Sequence, residues 1–237
     1  MTNLIIDFDS TICAKETLEV MAHFALKNDP NKLQILKKIE GITNLGMNGQ
    51  ISFVESLNTR INTVRITKPV INETIDYLKK HISKSFVETT SLLLNYNYYI
   101  VSGGFKKIID PILSPLGLES KRIFANNLIR SDKTYKLDTS FRLTKDKGKV
   151  DLVKSLKLSG NTYVIGDGYS DYELKLYGLA DKFIYYSEFV SREAIKSKSD
   201  YEISSFVDLY NISDILTKKR YQTAPVLNSV KTIKQTN

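Results

Sequence analysis

An α/β protein with a Rossmann-like parallel sheet core, helices on both faces and an inserted helical cap is the fold this sequence of 237 residues predicts. Three observations carry that expectation. A short apolar run, Leu4-Ile5-Ile6, opens the chain and ends in an acidic cluster, as a buried strand feeding a loop does. Residues 15–80 then show helical rather than alternating periodicity. After about residue 82, strand-like and helix-like segments alternate, the pattern of a parallel sheet with crossover helices.

In the helical block, Leu18, Met21, Ala22 and Ala25 share one face, and Leu33, Ile35, Leu36 and Ile39 mark a second segment. Ser52 and Glu55 form a capping box opening a third, over 52–64. Pro69 suits the first turn of a fourth, whose apolar positions run from Val70 to Ile82. Beyond it a helix is expected at 86–94, a strand at 98–101, the glycine turn Ser102-Gly103-Gly104, and a helix from Phe105 that Pro111 and Pro115 keep short or kinked. A β-like stretch at 122–128 and a polar hairpin at 129–141 follow. Then come a helix at 148–156, a strand at 162–165, the loop Gly166-Asp167-Gly168, a helix from Ser170 and a strand at 183–186. The expected division is a catalytic core from 1–14 and 81–216, a cap at 15–80 and a basic flexible tail at 217–237.

Charge first suggests a polyanion binder, because the formal net charge is +8. Its distribution points elsewhere. Lys218, Lys219, Arg220, Lys231 and Lys234 put five of those charges in a tail without a single Asp or Glu, leaving +3 on the rest. A small anionic metabolite is therefore the expected partner, with no nucleic acid and no membrane, and a monomer or homodimer as the working state. Cys13 is the only cysteine, and His23 and His81 are the only histidines, neither within a motif. That excludes an intrachain disulfide and a thiolate zinc site and fits a reducing compartment, with the cytoplasm as the expected location. No basic leader opens the chain, and no apolar run approaches the ~20 residues a membrane span needs.

Chemistry gathers where three expected strands end: Asp7-Phe8-Asp9-Ser10-Thr11, Ser102-Gly103-Gly104, and Gly166-Asp167-Gly168-Tyr169-Ser170-Asp171. In an open parallel sheet the loops at the carboxyl ends of strands converge on one crevice. Four carboxylates in one pocket repel each other unless a cation joins them, and an oxygen-only donor set favours Mg2+. Glycine-turn amides and a hydroxyl beside them suit a phosphate. A protein cation is needed as well, and Lys145, Lys147 and Lys149 are the candidates. Asp7 can attack phosphorus to give an aspartyl-phosphate, and Asp9 can protonate the leaving oxygen and later deprotonate water.

In this order and spacing the residues resemble the haloacid-dehalogenase superfamily of aspartyl-phosphate phosphotransferases, and within it the phosphoserine phosphatase-like branch, over nearly the whole chain except the tail. The resemblance implies Asp7 as nucleophile, Asp9 as general acid/base, and Ser102, Gly103 and a lysine as phosphate ligands. It also implies Mg2+ held by Asp7, the Asp9 carbonyl and Asp167, with Thr11, Ser170 and Asp171 supporting. Lys147-Gly148 matches the family's Lys-Gly before a helix and selects Lys147, and 123–128 is similar to a strand of that family. In the cap, Glu16 stands five residues after Thr11, and Met47, Phe53 and Arg60 match in order and spacing. Phe53 and Arg60, seven apart, share a helix face; Arg60 suits a substrate carboxylate and Glu16 an ammonium, the two ends of an amino acid.

The expected activity is thus a Mg2+-dependent phosphomonoesterase acting on phosphoserine. Alternatives are a sister phosphatase or phosphotransferase for another small phosphometabolite, with an acceptor such as homoserine, then a signalling receiver, then a basic nucleic-acid binder. Tyr169-Ser170 departs from the family, which commonly has a small residue and Asn there.

Overall fold

The computed structural model describes residues 2–210 and the backbone of Lys231 and Thr232. The expected tail at 217–237 lies outside the described residues apart from those two, whose backbone pairs antiparallel with Tyr201 and Glu202.

The strands are β1 (Thr2–Ile6), β2 (Asn97–Phe105), β3 (Ile123–Asn126), β4 (Leu128–Ser131), β5 (Thr134–Leu137), β6 (Asn161–Gly166), β7 (Lys182–Tyr186), β8 (Tyr201–Ile203) and β9 (Lys231–Thr232). The main sheet has the order β3-β2-β1-β6-β7-β8-β9, with all pairs parallel except the last. β1 is central. From it the chain builds outward through β2 and β3, then returns to lay β6 on its other side. The order therefore reverses between β1 and β6, and the crevice of an open α/β sheet forms at such a reversal.

Alternation along β1 serves both faces. Leu4 and Ile6 join a core with Phe86, Leu93, Ile108 and Ile109, and Ile5 joins one with Val101, Val153, Val164 and Leu174. On the first side those partners lie on α5 (Lys84–Leu93) and α6 (Lys106–Leu113); on the second, Val101 and Val164 come from β2 and β6, and Val153 and Leu174 from α7 (Gly148–Leu156) and α8 (Tyr169–Leu176). Helices thus cover both faces, as the strand–helix alternation predicts.

Between β1 and α5 stand the four cap helices, α1 (Thr17–Ala25), α2 (Lys32–Met47), α3 (Phe53–Ile61) and α4 (Lys68–Lys79). Ser52 caps α3, its hydroxyl accepting from the Glu55 amide, and Thr67 caps α4 in the same way through Val70. The cap joins the core through a narrow neck in which Ala14 N donates to His81 O and Ser83 N donates to Ile12 O.

The expected polar hairpin forms as β4 and β5, a separate sheet tied to the base of the cap by Tyr135 N donating to Ile66 O. One segment differs from expectation. Ser102-Gly103-Gly104 is not a turn after a strand but part of β2, whose pairing with β3 shifts between Val101 and Phe105. Phe105 is fully buried and draws the backbone on in extended form, so the glycines occupy a bulged strand end.

Candidate active site

The reversal point gathers the acids. Asp7 follows β1, its amide donating to Ile165 O on β6, and Asp167 follows β6 directly. Asp171 lies in the first turn of α8, and its Oδ2 accepts from Gly168 N at 3.2 Å. Gly166 must be bare for that turn to close, because a Cβ there would stand 2.3 Å from the Asp171 carboxyl carbon. Asp7, Asp167 and Asp171 are all buried, and each offers an oxygen within 4.8 Å of the others. Three carboxylates this close, with no nitrogen or sulfur donor, fit a hard divalent cation such as Mg2+. Asp171, expected as a support for Asp7, the Asp9 carbonyl and Asp167, stands within that same distance of Asp7 and Asp167, with Oδ1 on Lys149 and Oδ2 on Gly168 N. Thr11 is the support, its hydroxyl donating to Asp167 Oδ1 at 3.1 Å.

Two buried cations face these acids. Lys149 Nζ lies 2.9 Å from Asp7 Oδ1 and 2.7 Å from Asp171 Oδ1. Burial works against its ammonium, but the carboxylates on either side outweigh it and raise its pKa above that of ordinary lysine. Arg192, in the loop after β7, donates from Nε to Asp167 Oδ2 at 3.1 Å and from one terminal nitrogen to Asn44 Oδ1 of the cap at 3.2 Å. Burial nonetheless pushes Asp167 up to about 7 and Asp171 up to about 8, with Asp7 adding to both.

Asp9 faces the other way. Its Oδ1 accepts from the Thr17 amide at 2.8 Å and from the Thr17 hydroxyl, at the first turn of α1. Burial, then Glu16 and Asp7, raise its pKa well above the usual aspartate range. A carboxyl so placed holds its proton to higher pH than an ordinary aspartate, the direction a general acid requires. Directly after Asp9 the chain turns back through Ser10, which adopts φ 55° and donates its hydroxyl to Glu16 Oε1 at 2.7 Å.

The cap closes the site. A cavity of about 400 Å³ is lined by Asp7, Asp9, Gly103, Lys149 and Ser170 from the core and by Glu16, Met47, Phe53 and Arg60 from the cap. Arg60 is buried, held by Nε to Ser56 O at 3.1 Å and by a terminal nitrogen to Thr43 Oγ1 at 2.9 Å. Phe53 lies against the backbone at Gly103, where a Cβ would meet its ring at 2.9 Å. Met47 Sδ would stand 3.0 Å from a Cβ on Gly168.

Neither Ser102 nor Lys147, the expected phosphate ligands, is hydrogen-bonded to these acids, though Lys147 lines the same cavity. Ser102 is buried beneath the wall, its hydroxyl accepting from Gly104 N at 2.9 Å, so it shapes the glycine segment. Lys147 is exposed at the rim, with its ammonium 4.8 Å from the centre of the Tyr177 ring. It caps α7 at φ 57°, a left-handed residue outside the helix, whereas Lys149 lies in the first turn and faces the acids. Of the three candidate lysines, Lys149 is the one that reaches them.

Sequence reasoning passed over Arg192, Thr17, Asn44 and Asn126, whose amide donates to Gly103 O at 2.8 Å. The rule that placed the first three loops, carboxyl ends of parallel strands, applies equally to the loop after β7 and was the available signal for Arg192.

A family model described as haloacid dehalogenase-like hydrolase matches residues 4–174. The chain is 31% identical over 216 residues to the chloroplastic phosphoserine phosphatase of Arabidopsis thaliana, covering 88% of this chain and 70% of that one. Its fold superposes on a phosphoserine phosphohydrolase-like protein from Francisella tularensis with a TM-score of 0.81 and 37% identity, over 90% of this chain and 99% of the other. A structure of a phospho-aspartyl intermediate analogue of phosphoserine phosphatase matches with a TM-score of 0.70 and 25% identity, over 90% and 97%.

Proposed function

The chain belongs to the haloacid dehalogenase-like hydrolase family, and on that footing we propose that it hydrolyses O-phosphoserine to serine and phosphate through an aspartyl-phosphate on Asp7. One observation carries the reading: the cavity holding Asp7 and Asp9 is closed by a buried arginine and a glutamate from the cap, Arg60 and Glu16. These are the countercharges of an amino acid, set opposite a nucleophile and its acid.

In this reading Arg60 receives the substrate carboxylate and Glu16 the ammonium, and Phe53 walls the space between. Asp7 attacks phosphorus as the ester bond breaks, and the Asp9 proton passes to the departing serine oxygen. Asp9, now a carboxylate, removes a proton from water. That water attacks the aspartyl-phosphate, releasing phosphate and returning Asp7 to its free form. Lys149 and the amides around Gly103 and Gly104 face the phosphoryl oxygens, with Ser102 and Asn126 fixing that segment. Asp7, Asp167 and Asp171 would hold Mg2+, which neutralises charge on a bound phosphoryl group. Arg192 and Thr11 orient Asp167 in that set.

Phosphate release from a panel of small phosphomonoesters, with and without Mg2+, tests the reading. Phosphoserine should be the preferred substrate, with one serine and one phosphate formed per ester consumed. Ester consumed without matching free phosphate would instead mark transfer to an acceptor.

A further inference from the structure

Tyr169 is the first of the two residues, Tyr169-Ser170, at which the sequence departs from the pattern it resembles, and it stands on the wall of the cavity. It opens α8, two residues after Asp167, and its half-buried ring lies flat against the cap loop that follows α2. The contact is with Gly49. A Cβ on Gly49 would stand 2.8 Å from the ring, and Gly49 adopts φ +74°, so the position is closed to side chains twice over. The ring is braced from below by Tyr172, with centroids 6.0 Å apart, and Tyr172 packs on Phe183 of β7 at the same separation. It is therefore a post founded on the sheet, not a loosely held rim residue.

The opposite wall repeats the device in reverse, with Phe53 of the cap pressed on the core backbone at Gly103. Phe53 and Tyr169 thus set the spacing between cap and core at two corners of one cavity. A small residue at 169 would leave the loop at 47–50 unsupported from below and the wall open beside Ser170.

We propose that Tyr169 is a specificity-determining residue: its ring fixes the gap between the cap loop and the first turn of α8, confining the site to phosphomonoesters no bulkier than a small amino acid. The proposal rests on the phosphomonoesterase reading above. Its content is steric, so the hydroxyl is dispensable and the ring is not.

The test compares kcat/KM for O-phospho-L-serine and O-phospho-L-tyrosine in wild type, Y169F and Y169A. Because both substrates are measured on each variant, a partly unfolded preparation leaves the ratio intact. Y169A should raise the phosphotyrosine-to-phosphoserine ratio by about tenfold or more, the scale on which a pocket discriminates size. Y169F should keep the wild-type ratio to within about twofold. An unmoved ratio in Y169A, or an equal change in Y169F, overturns the proposal. A second measurement needs no turnover: the drop in melting temperature caused by G49A should shrink in a Y169A background, where the new Cβ no longer meets a ring. Equal drops in both backgrounds would show that the ring does not press on Gly49. A wild type that prefers another small phosphomonoester to phosphoserine overturns the substrate reading alone and leaves the ratio test standing.

Discussion

Lys149 and Asp7 form a buried ion pair, 2.9 Å from Nζ to Oδ1, with side chains only 6% and 4% exposed. They are 142 residues apart in the chain. The pair joins the helix after the hairpin to the end of the central strand, and Asp171 completes it from the other side.

Removing the lysine should therefore cost both folding and activity. Lys149→Met leaves two buried carboxylates facing each other, and breaking a buried pair from one side costs about 3–5 kcal/mol. Lys147→Ala removes only an exposed ammonium resting on Tyr177 and should leave the melting temperature almost unchanged. Thermal melts and phosphate release of the two variants decide between the lysines. A stable, active Lys149→Met beside an inactive Lys147→Ala would return the phosphate-binding role to Lys147.

The two aspartates should fail differently. Asp7→Asn removes the nucleophile, and kcat should fall by at least ~10⁴-fold on every ester. Asp9→Asn removes a proton donor whose contribution is about 10²–10⁴-fold. Its loss should be larger for phosphoserine, whose alkoxide needs the proton, than for p-nitrophenyl phosphate, whose leaving group does not. Equal losses on both esters would take Asp9 out of the acid role.

Arg60→Ala should separate substrates rather than disable the enzyme. A charged hydrogen bond is worth about 1.5–3 kcal/mol, or roughly 10–100-fold in kcat/KM on phosphoserine. An aryl phosphate with no carboxylate should lose little. Comparing the two esters on one preparation corrects for any fraction lost to misfolding.

Mg2+ should stabilise the protein through its carboxylates. Added Mg2+ is expected to raise the melting temperature of wild type and to do so less in Asp167→Asn, which deletes one donor of the buried set. An equal shift in both proteins would place the cation elsewhere.

A pH-dependent contribution lies far from the site, at Asp200. Its carboxylate accepts from Phe183 N at 2.8 Å and pairs with Lys175 at 2.8 Å and Lys182 at 3.1 Å. Burial opposes the charge, but Lys175, the Phe183 amide and Lys182 together hold its pKa below the ordinary value. A depressed carboxylate contributes stability above its unfolded pKa of about 3.9 and loses it as pH falls through the folded value. Asp200→Asn should therefore lower the melting temperature by several degrees at pH 7 and by much less at pH 3. A gap between variant and wild type that is as wide at pH 3 as at pH 7 would contradict this.

Much of the fold is legible because it follows local periodicity. The apolar run before Asp7 is the central strand, and the capping box at Ser52 opens the helix that puts Phe53 and Arg60 on one cavity. The Ser102-Gly103-Gly104 segment misleads because glycine signals a turn, while the burial of Phe105 beyond it keeps the backbone in the sheet. The choice among the lysines is not legible in local periodicity. Gly148, the neighbour of Lys147, is required by the backbone, since a Cβ there would stand 2.5 Å from Arg142 O, and that requirement says nothing about which flanking lysine turns inward.

The sequence by itself determined the sheet-and-cap architecture, the carboxylates at its strand ends and the cap residues that line the cavity, because each is written in spacing along a strand or helix. Only the tertiary structure decided that Lys149 and not Lys147 meets Asp7, that Arg192 joins Asp167 to Asn44, and that Tyr169 rests on Gly49. Those partners come from different elements, and their meeting depends on how far each helix is rotated and seated against the sheet. Packing of the whole core sets that rotation, and no local period carries it.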